Sequence, residues 1–282
     1  MSSMANVLKT EKRTAIISAL VEGNGVRATA RMVGVSKDTV SKLQLEIGAA
    51  CARFQSETLK DLPSRRVQVD EIWSFVYAKA KNVPSRLSGM FGVGDVWTDT
   101  AIDADSKLCI SWLVGPRDGG TATEFMQDVA SRLAHRIQLS TDGHRMYLDA
   151  VEDAFGAAID YAMIQKIYGA SAEAETRYSP AVCTGIKKFR VQGNPDPRHV
   201  STSYVERQNL TMRMSMRRFT RLTNAFSKKL ENHVAAVALH FMYYNFCRIH
   251  QTLRVTPAMA AGVTERVWGI EEIVGLLART AN

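Results

Sequence analysis

The order of the predicted secondary-structure elements is the strongest constraint on the fold. Three consecutive segments are rich in Val, Ile, Trp and Tyr, which is typical of β-strands. They lie at Arg66–Tyr77, Val93–Ile102 and Leu108–Val114. Helical and strand patterns then alternate, with helices at Thr121–Leu133, Arg145–Phe155 and from about Ser201, and strands at Arg136–Ser140 and Ile159–Ile167.

This order predicts an α/β fold in which a mixed sheet is flanked by helices. Three antiparallel strands followed by helix, strand, helix, strand and helix is the element order of an RNase H-like domain. We assign residues 63–250 to it, with a basic insertion at about 169–200 that contains several Pro and Gly residues. A long loop in a compact domain is usually functional.

The first sixty residues instead follow a helical pattern. Helices are expected at Thr10–Glu22, Val26–Val33 and Ser36–Ile47. Gly34 follows the small Ala30 by four residues and suits a turn that needs a positive φ, while Ser36 is a good N-cap. The spacing predicts an all-α helix-turn-helix domain at residues 1–62, and residues 251–282 form a C-terminal tail. A plain helical hairpin with only a stabilising role is the alternative.

The distribution of charge favours a polyanionic partner. The chain has 282 residues, a formal net charge of +8 and a sequence pI near 9.4. The segment from Arg177 to Arg221 alone holds ten Lys and Arg against two acidic residues, and residues 1–60 hold nine against five. Two separate basic regions predict two separate contacts with double-stranded DNA.

Specific residues in both regions are expected to touch DNA. In the third helix, base edges and phosphates of a major groove would be contacted by Lys37, Thr39, Ser41, Lys42 and Gln44. In the second region, phosphates would be held by Lys187, Lys188, Arg190, Arg207, Arg213, Arg217 and Arg218.

Three acidic residues occupy the positions that phosphodiester chemistry needs in such a sheet. Two divalent ions bound by oxygen ligands activate the nucleophile and stabilise the leaving oxygen. Asp70 lies in the first predicted strand, Asp142 ends the fourth, and Glu206 lies on the helix after the fifth. Together they predict a site for two Mg²⁺ ions, with Mn²⁺ as a substitute. Glu71 points to the opposite face by strand alternation and is not expected to join the same site.

Each acid also has a simpler interpretation. Asp70 could be a solvent-facing acid on an edge strand, and Asp142 could only cap the following helix. Glu206 and Arg213 are seven residues apart, so they could form a surface salt bridge that contributes little energy.

Several segments resemble the insertion-sequence-one family of DDE transposases. They are VDEIWSFVYAKAKNVP, DVWTDTAIDADSKL, TDGH, STSYVERQNLTMRMSMRRFTRLTNAFSKK and YYNFCRIHQTLRVTPAMAAG, which lie between residues 69 and 262, and the resemblance itself covers nearly the whole chain. The segment Tyr244–Pro257 is also similar to the end of retroviral-type integrase cores. The resemblance implies that Asp70, Asp142 and Glu206 form a metal-binding triad. It also implies that Arg213 is the basic residue that many DDE transposases carry seven positions after the Glu.

The implied reaction is metal-dependent cleavage at transposon ends followed by strand transfer. Bringing two ends together requires at least a homodimer. Some family members carry a zinc-binding element, but no paired cysteines form one here, so no zinc is expected. No membrane span or leader is expected, which places the protein in the bacterial cytoplasm, at the nucleoid. Two alternatives are a helix-turn-helix regulator with an inactive RNase H-like domain and a nuclease or resolvase without strand transfer.

Overall fold

A computed structural model describes residues 8–169, 183–220 and 224–279 of the chain. The helices are α1 Thr10–Val21, α2 Val26–Val33, α3 Lys37–Thr58, α4 Gly119–Ser131, α5 Met146–Phe155, α6 Ser203–Ser215, α7 Leu230–Phe246, α8 Pro257–Ala260 and α9 Ile270–Arg279. The strands are β1 Arg66–Val76, β2 Gly94–Asp103, β3 Cys109–Gly115, β4 Ile137–Asp142, β5 Ile159–Tyr168 and β6 Cys183–Gln192. None of the described helices is long and apolar enough to cross a membrane.

The six strands form one mixed sheet in the order β3-β2-β1-β4-β5-β6. The first three strands are antiparallel, β4 and β5 run parallel to β1, and β6 is antiparallel to β5. Helices cover the sheet, as predicted, and the arrangement is consistent with an RNase H-like core. Because β1 lies between β2 and β4, the interpretation of Asp70 as an edge-strand acid is wrong.

The basic insertion is more regular than the sequence suggested. Residues 183–192 form β6, a long edge strand paired with β5, where an irregular stretch was expected. The error arose because Gly and Pro flank this segment, while its exposed side chains give no hydrophobic alternation to mark a strand. Residues 170–182 and 221–223, with Arg177 and Arg221 at the ends of the basic segment, lie outside the described residues.

The N-terminal helices share a core with the sheet. Helix α3 continues eleven residues beyond its expected end at Ile47 and packs along α7. At the crossing, an ideal Cβ on Gly48 would lie 2.5 Å from the Cα of Ala235, so only glycine permits this approach. One hydrophobic cluster runs from Ile16 and Ile47 to Val67 and Leu139. The predicted boundary at residue 62 is therefore not marked by a gap between two cores.

The C-terminal segment is also part of this core. Helix α9 packs against α1 and α3, and its Ile273 is fully buried. The ring of Trp268 lies 4.9 Å from that of Phe54 and 5.3 Å from that of Phe246. The predicted C-terminal tail, residues 251–282, therefore includes helices that pack onto the core as far as residue 279.

The two faces of the sheet are covered by different helices. Helix α6 lies against β1, and Ile72 packs with Val205 and Met212 of that helix. On the other face, α4 and α5 pack together, and Tyr147 of α5 is buried in the large cluster with Val69. Residues of β1 alternate between these faces, which decides what each carboxylate of that strand can contact.

Candidate functional site

Asp70 and Asp142 lie side by side on neighbouring parallel strands. Val69 of β1 is in register with Thr141 of β4, so the next residues along, Asp70 and Asp142, come level at the end of β4. Side chains that are level on neighbouring strands point to the same face. Asp142 also accepts a hydrogen bond from the backbone N–H of His144 at 3.0 Å, but α5 begins only at Met146, so its part in capping is confined to the turn.

Glu206 approaches the same face from the first turn of α6. Its carboxylate accepts hydrogen bonds from the ammonium group of Lys166 on β5 and, at 2.5 Å, from the hydroxyl of Thr202. Glu206 is close enough to Asp70 for its charge to contribute to the raised Asp70 pKa. Glu206 thus forms an ion pair with Lys166; the sequence had suggested a surface pair with Arg213 as its alternative role.

Glu71 is much closer to this site than strand alternation predicted. One carboxylate oxygen each from Asp70, Glu71 and Asp142 lie within 4.8 Å of one another. The expectation that Glu71 is kept apart is wrong. The Glu71 side chain does start on the opposite face of β1. However, β4 ends at Asp142 and the next residue, Gly143, has no side chain. Beyond Asp142, therefore, β4 does not stand between the two faces of the sheet.

Two carboxyl groups of the cluster, Asp70 and Glu71, have a raised pKa. Burial raises the pKa of Asp70 to about 7, and the neighbouring charges of Glu71, Asp142 and Glu206 add to the effect. Burial also raises the pKa of Glu71, as does Asp142, while Arg117 opposes the shift through an ion pair. The cluster therefore holds more negative charge than its described cationic partners compensate.

The donor set fits a divalent metal. Carboxylate oxygens are the preferred ligands of Mg²⁺ and Mn²⁺, and here at least three converge. Asn209, one turn after Glu206, donates from Nδ2 to Asp70 at 2.8 Å. Among the described residues its buried Oδ1 atom has no hydrogen-bond partner. A buried acceptor without a donor is costly, and a metal-bound water beside Asp70 would supply the missing donor.

Asp99 is a further buried acid that the sequence analysis did not single out. It lies opposite Glu71 in the β1–β2 pairing, and burial raises its pKa to about 7. The hydroxyl of Tyr147 donates to Asp99 at 2.9 Å and lies 3.4 Å from Glu71. Once the two strands are aligned, this pairing follows from the sequence, but the alignment requires the turn length between them, which the pattern did not give.

Of the residues expected to read DNA in α3, four lie towards the surface and one does not. Lys37 and Lys42 are exposed, and Thr39 and Ser41 are half-buried. Gln44 is only 3% exposed, so its expected exposure is wrong. It shares the inward stripe of Val40, Leu43 and Ile47, which the extended helix presses towards α7.

Arg218 was expected to hold a phosphate but points inward. Its guanidinium donates to Gln44 at 2.9 Å and to Ser227 at 2.6 Å, and burial lowers its pKa to about 10. Two residues assigned to DNA therefore contact each other in the interior, because the segment after α6 folds back towards α3.

The other basic residues are distributed over β6 and α6. Arg207, Arg217, Lys187 and Arg190 are exposed, and the ammonium group of Lys188 donates to the carbonyl of Pro197 at 2.8 Å. Lys188 and Arg190 are paired with Ile164 and Ala162 of β5, on the face that carries Asp142. Arg213 is half-buried on α6.

Comparisons with known proteins give only distant similarity. No protein-family model and no curated protein matches the sequence. A Mos1 transposase paired-end complex with left transposon end matches with 14% identity and a TM-score of 0.21, and the match covers 54% of this chain and 59% of that one. The present chain thus spans about three fifths of that protein.

Two further solved structures match over more of the chain. For the Mos1 strand transfer complex the identity is 12% and the TM-score 0.25, over 86% of this chain and 79% of that one. For the piggyBac transposase synaptic complex with hairpin DNA the identity is 10% and the TM-score 0.40, and the match covers 98% of this chain and 73% of that one. These similarities are low, so a function has to be argued from the site itself.

Proposed function

We propose that this chain is a DDE-type DNA transposase, which cleaves DNA strands at the ends of an insertion sequence and joins them to target DNA. One observation carries the proposal. Asp70 and Asp142 stand level on neighbouring parallel strands at the end of β4, and α6 brings Glu206 to the same face. Acidic side chains from three different elements thus share one face of the sheet, where oxygens of Asp70 and Asp142 lie within 4.8 Å of each other and Glu206 lies outside that close group.

The proposed metal ligands are Asp70, Asp142 and Glu206, and Glu71 is within reach as an additional or substitute ligand. Two Mg²⁺ or Mn²⁺ ions held there would activate the attacking water or 3′-hydroxyl and stabilise the leaving oxygen. Asn209 orients Asp70 through its hydrogen bond, and Lys166 balances the charge of Glu206. Arg117 and Tyr147 hold Glu71 from the other side.

DNA would be held by two surfaces of the chain. We infer that α2 and α3 act as a helix-turn-helix, with Lys37, Thr39, Ser41 and Lys42 towards the groove. The Ser36 hydroxyl accepts from the backbone of Thr39 at 3.0 Å, and Gly34 has the left-handed conformation that the turn needs, with φ of 67°. Phosphates would be held by Lys187, Lys188, Arg190, Arg207, Arg213 and Arg217.

A transposase has further requirements that belong to the same proposal. Two DNA ends must be brought together, so the active form would be at least a homodimer. The site of action would be the nucleoid in the bacterial cytoplasm.

The test needs DNA that the protein itself selects. Duplexes enriched from a random library by repeated binding supply the end sequence, and cleavage and joining to a plasmid are then measured with Mg²⁺ and with Mn²⁺. Glu206→Gln, Asp70→Asn and Asp142→Asn should each reduce both reactions by about a thousandfold or more, with partial recovery in Mn²⁺ at most. The losses should not add in a double variant, because the three groups serve one unit.

Controls separate chemistry from folding and from the alternative functions. Glu265→Gln and Asp153→Asn make the same chemical changes at exposed positions and should keep full activity. DNA binding should persist in the three active-site variants. Cleavage without joining would show a nuclease or resolvase, and DNA binding without either reaction would show a regulator. Full activity of Glu206→Gln would remove Glu206 from the site and leave Glu71 as the third ligand to test.

A further inference from the structure

The connection between β1 and β2, residues 77–93, is much longer than a hairpin turn requires. It contains Lys79, Lys81 and Arg86 and not one acidic residue. It leaves the sheet after Val76, at the carboxyl end of β1. Since β4 runs parallel to β1 and ends at Asp142, level with Asp70, the connection emerges in the same strand direction as the carboxylate cluster, six residues or about 20 Å further along β1.

The connection is a folded structure and is fixed at its base. It contains two short 3₁₀ turns, Ala80–Asn82 and Ser85–Leu87. The backbone N–H of Tyr77 donates to the carbonyl of Ser227 at 2.8 Å, and that of Ala80 donates to the Asp95 carboxylate at 2.9 Å. These contacts hold the start of the connection in place and so fix the position of its tip, residues 89–92.

The tip is also tied back to the protein. A Cβ on Gly92 would lie 2.9 Å from the Leu230 Cβ, so the chain passes closely over the start of α7 there. Backbone hydrogen bonds from Met90 to Leu87 and from Val93 to Met90 close the turn. The tip residues are therefore presented in a defined place.

The tip presents two large apolar side chains to solvent. Phe91 is 79% exposed and Met90 is 57% exposed. They stand between Gly89 and Gly92, both with φ of 76°, a conformation that side chains with a Cβ rarely adopt. Single exposed apolar residues are common, but an adjacent pair at a fixed tip indicates a binding surface. Because the charged residues of this segment are all positive, a partner that is both aromatic and anionic would match it.

We propose that residues 77–93 form a stacking platform for unpaired DNA bases, in which Phe91 and Met90 contact base faces while Lys79, Lys81 and Arg86 hold the adjoining phosphates. Every base has a π-face, so stacking on an aromatic side chain tolerates any sequence, and apolar side chains inserted at base steps favour unstacked DNA. The inference rests on the proposed function, because a strand that is cut and joined at the carboxylates must leave its duplex partner nearby.

Charge decides between DNA and the other partners that an apolar tip could meet. A second copy of this chain would bring its own net positive charge to a segment with three cations and no acid. A polyanion is complementary in charge to this segment. A DNA base also offers an aromatic face on which the ring of Phe91 can stack.

The test compares two duplexes of one random sequence, one blunt and one with an unpaired 3′ extension that carries 2-aminopurine. Fluorescence anisotropy gives the affinities, and 2-aminopurine quenching reports stacking. The wild-type chain should bind the extended duplex about tenfold more tightly and quench the probe. Phe91→Ala should lose both the preference and the quenching while keeping its affinity for blunt duplex, and Phe91→Trp should restore them.

Two further variants make the result specific. Ile249→Ala removes a similarly exposed apolar side chain, 56% exposed, and should change neither quantity. Lys81→Ala with Arg86→Ala should weaken binding of the extended duplex and reduce its salt dependence, because fewer phosphate counter-ions are released.

The outcomes separate this inference from the function on which it rests. Equal affinity of the wild-type chain for both duplexes, or unchanged quenching by Phe91→Ala, overturns the platform but leaves DNA binding intact. Failure to bind either duplex overturns both proposals. If Phe91→Ala instead changes only the sedimentation of the chain or its flotation with phosphatidylglycerol vesicles, the tip serves a second copy or a membrane surface and the inference is wrong.

Discussion

Single residues in the carboxylate cluster combine burial with uncompensated charge. Asp70 and Asp99 lie on neighbouring strands, and burial raises the pKa of each to about 7. Lys166 is the cation that the structure places against Glu206. The repulsion between buried carboxylates is unfavourable, and it is reduced when a divalent ion binds, when a carboxylate takes up a proton, or when a substitution removes a charge.

Asp99→Asn should stabilise the metal-free protein at high pH. Asp99 has an ordinary pKa of 3.8 and a folded pKa of about 7, so between these values the folded state keeps a proton that the unfolded chain has released. The free energy of unfolding therefore falls as pH rises through this window, and the loss is complete above about pH 7. Asparagine removes this dependence, and its oxygen still accepts from Tyr147.

Urea unfolding at about pH 4 and about pH 8 measures the effect. The variant should resemble wild type at the lower pH and be more stable at the higher one. Asp153→Asn, on the exposed surface of α5, should show no such pH-dependent difference. A wild-type stability that rises between these pH values relative to Asp99→Asn would contradict the prediction.

Lys166→Gln should tighten divalent metal binding. The Lys166 ammonium group contacts the Glu206 carboxylate, and Asp70 also contributes to its raised pKa. The lysine therefore offsets negative charge that a metal ion would otherwise neutralise, and removing it leaves the site more negative. Calorimetric titration with Mn²⁺ should show an affinity increase of about tenfold, or roughly 1.4 kcal/mol.

The matched control is Lys229→Gln, which breaks the surface pair with Glu231 and should leave Mn²⁺ affinity unchanged. Weaker Mn²⁺ binding in Lys166→Gln would show that the lysine organises the site and does not compete with the metal.

At the scale of elements, α3 combines an outer face and an inner face along one helix. Lys37 and Lys42 are on the exposed side, and the Lys42 side chain is 80% exposed. Gln44 lies on the other side with Val40, Leu43 and Ile47, at spacings of three and four residues. The two faces should respond differently to substitution.

Lys37→Ala with Lys42→Ala should reduce the preference for selected end DNA over random duplex without changing stability, since exposed side chains contribute little to folding. Gln44→Ala should do the reverse. It leaves the buried Arg218 guanidinium without one of its acceptors, which should destabilise the fold by about 1–3 kcal/mol. Competition binding and urea unfolding measure the two effects. If Gln44→Ala abolished the preference at unchanged stability, Gln44 would have to reach DNA in the complex.

At the scale of the whole molecule, the N-terminal helices, the sheet and α9 depend on one continuous core. Helix α3 packs against α7 through the close approach at Gly48, and α9 packs against α1 and α3. The described chain should therefore unfold in one transition, even though its predicted functions divide between two regions.

Gly48→Ala should destabilise the whole molecule. Its Cβ would meet the Cα, Cβ and backbone oxygen of Ala235 at 2.5–2.6 Å, so α3 and α7 must separate. We expect a loss of about 2 kcal/mol, after the better helix propensity of alanine is included. Circular dichroism and tryptophan fluorescence should give one coincident, shifted transition. Gly275→Ala, where no described atom lies within 4 Å of the new Cβ, should be neutral or stabilising. Two separate transitions would show independent domains.

The sequence by itself determined the order of most elements. It also determined which strands carry two of the three proposed acidic ligands. Strand alternation, helical periodicity and capping residues are local properties, so they placed β1 to β5, α1 and α2, with Asp70 on the first strand and Asp142 at the end of the fourth. They also gave Ser36 as an N-cap, which its hydrogen bond to Thr39 confirms.

Only the tertiary structure decided what depends on contacts between distant segments. Strand alternation fixes where a Cβ points, but whether Glu71 reaches Asp142 depends on where the neighbouring strand ends. Gln44 was expected to be exposed, but the packing of α3 on α7 and the return of Arg218 towards α3 bury it. The strand β6 has no hydrophobic alternation of its own and exists because β5 offers it an edge to pair with. Such features arise from burial and pairing between residues far apart in the chain, and no local pattern contains them.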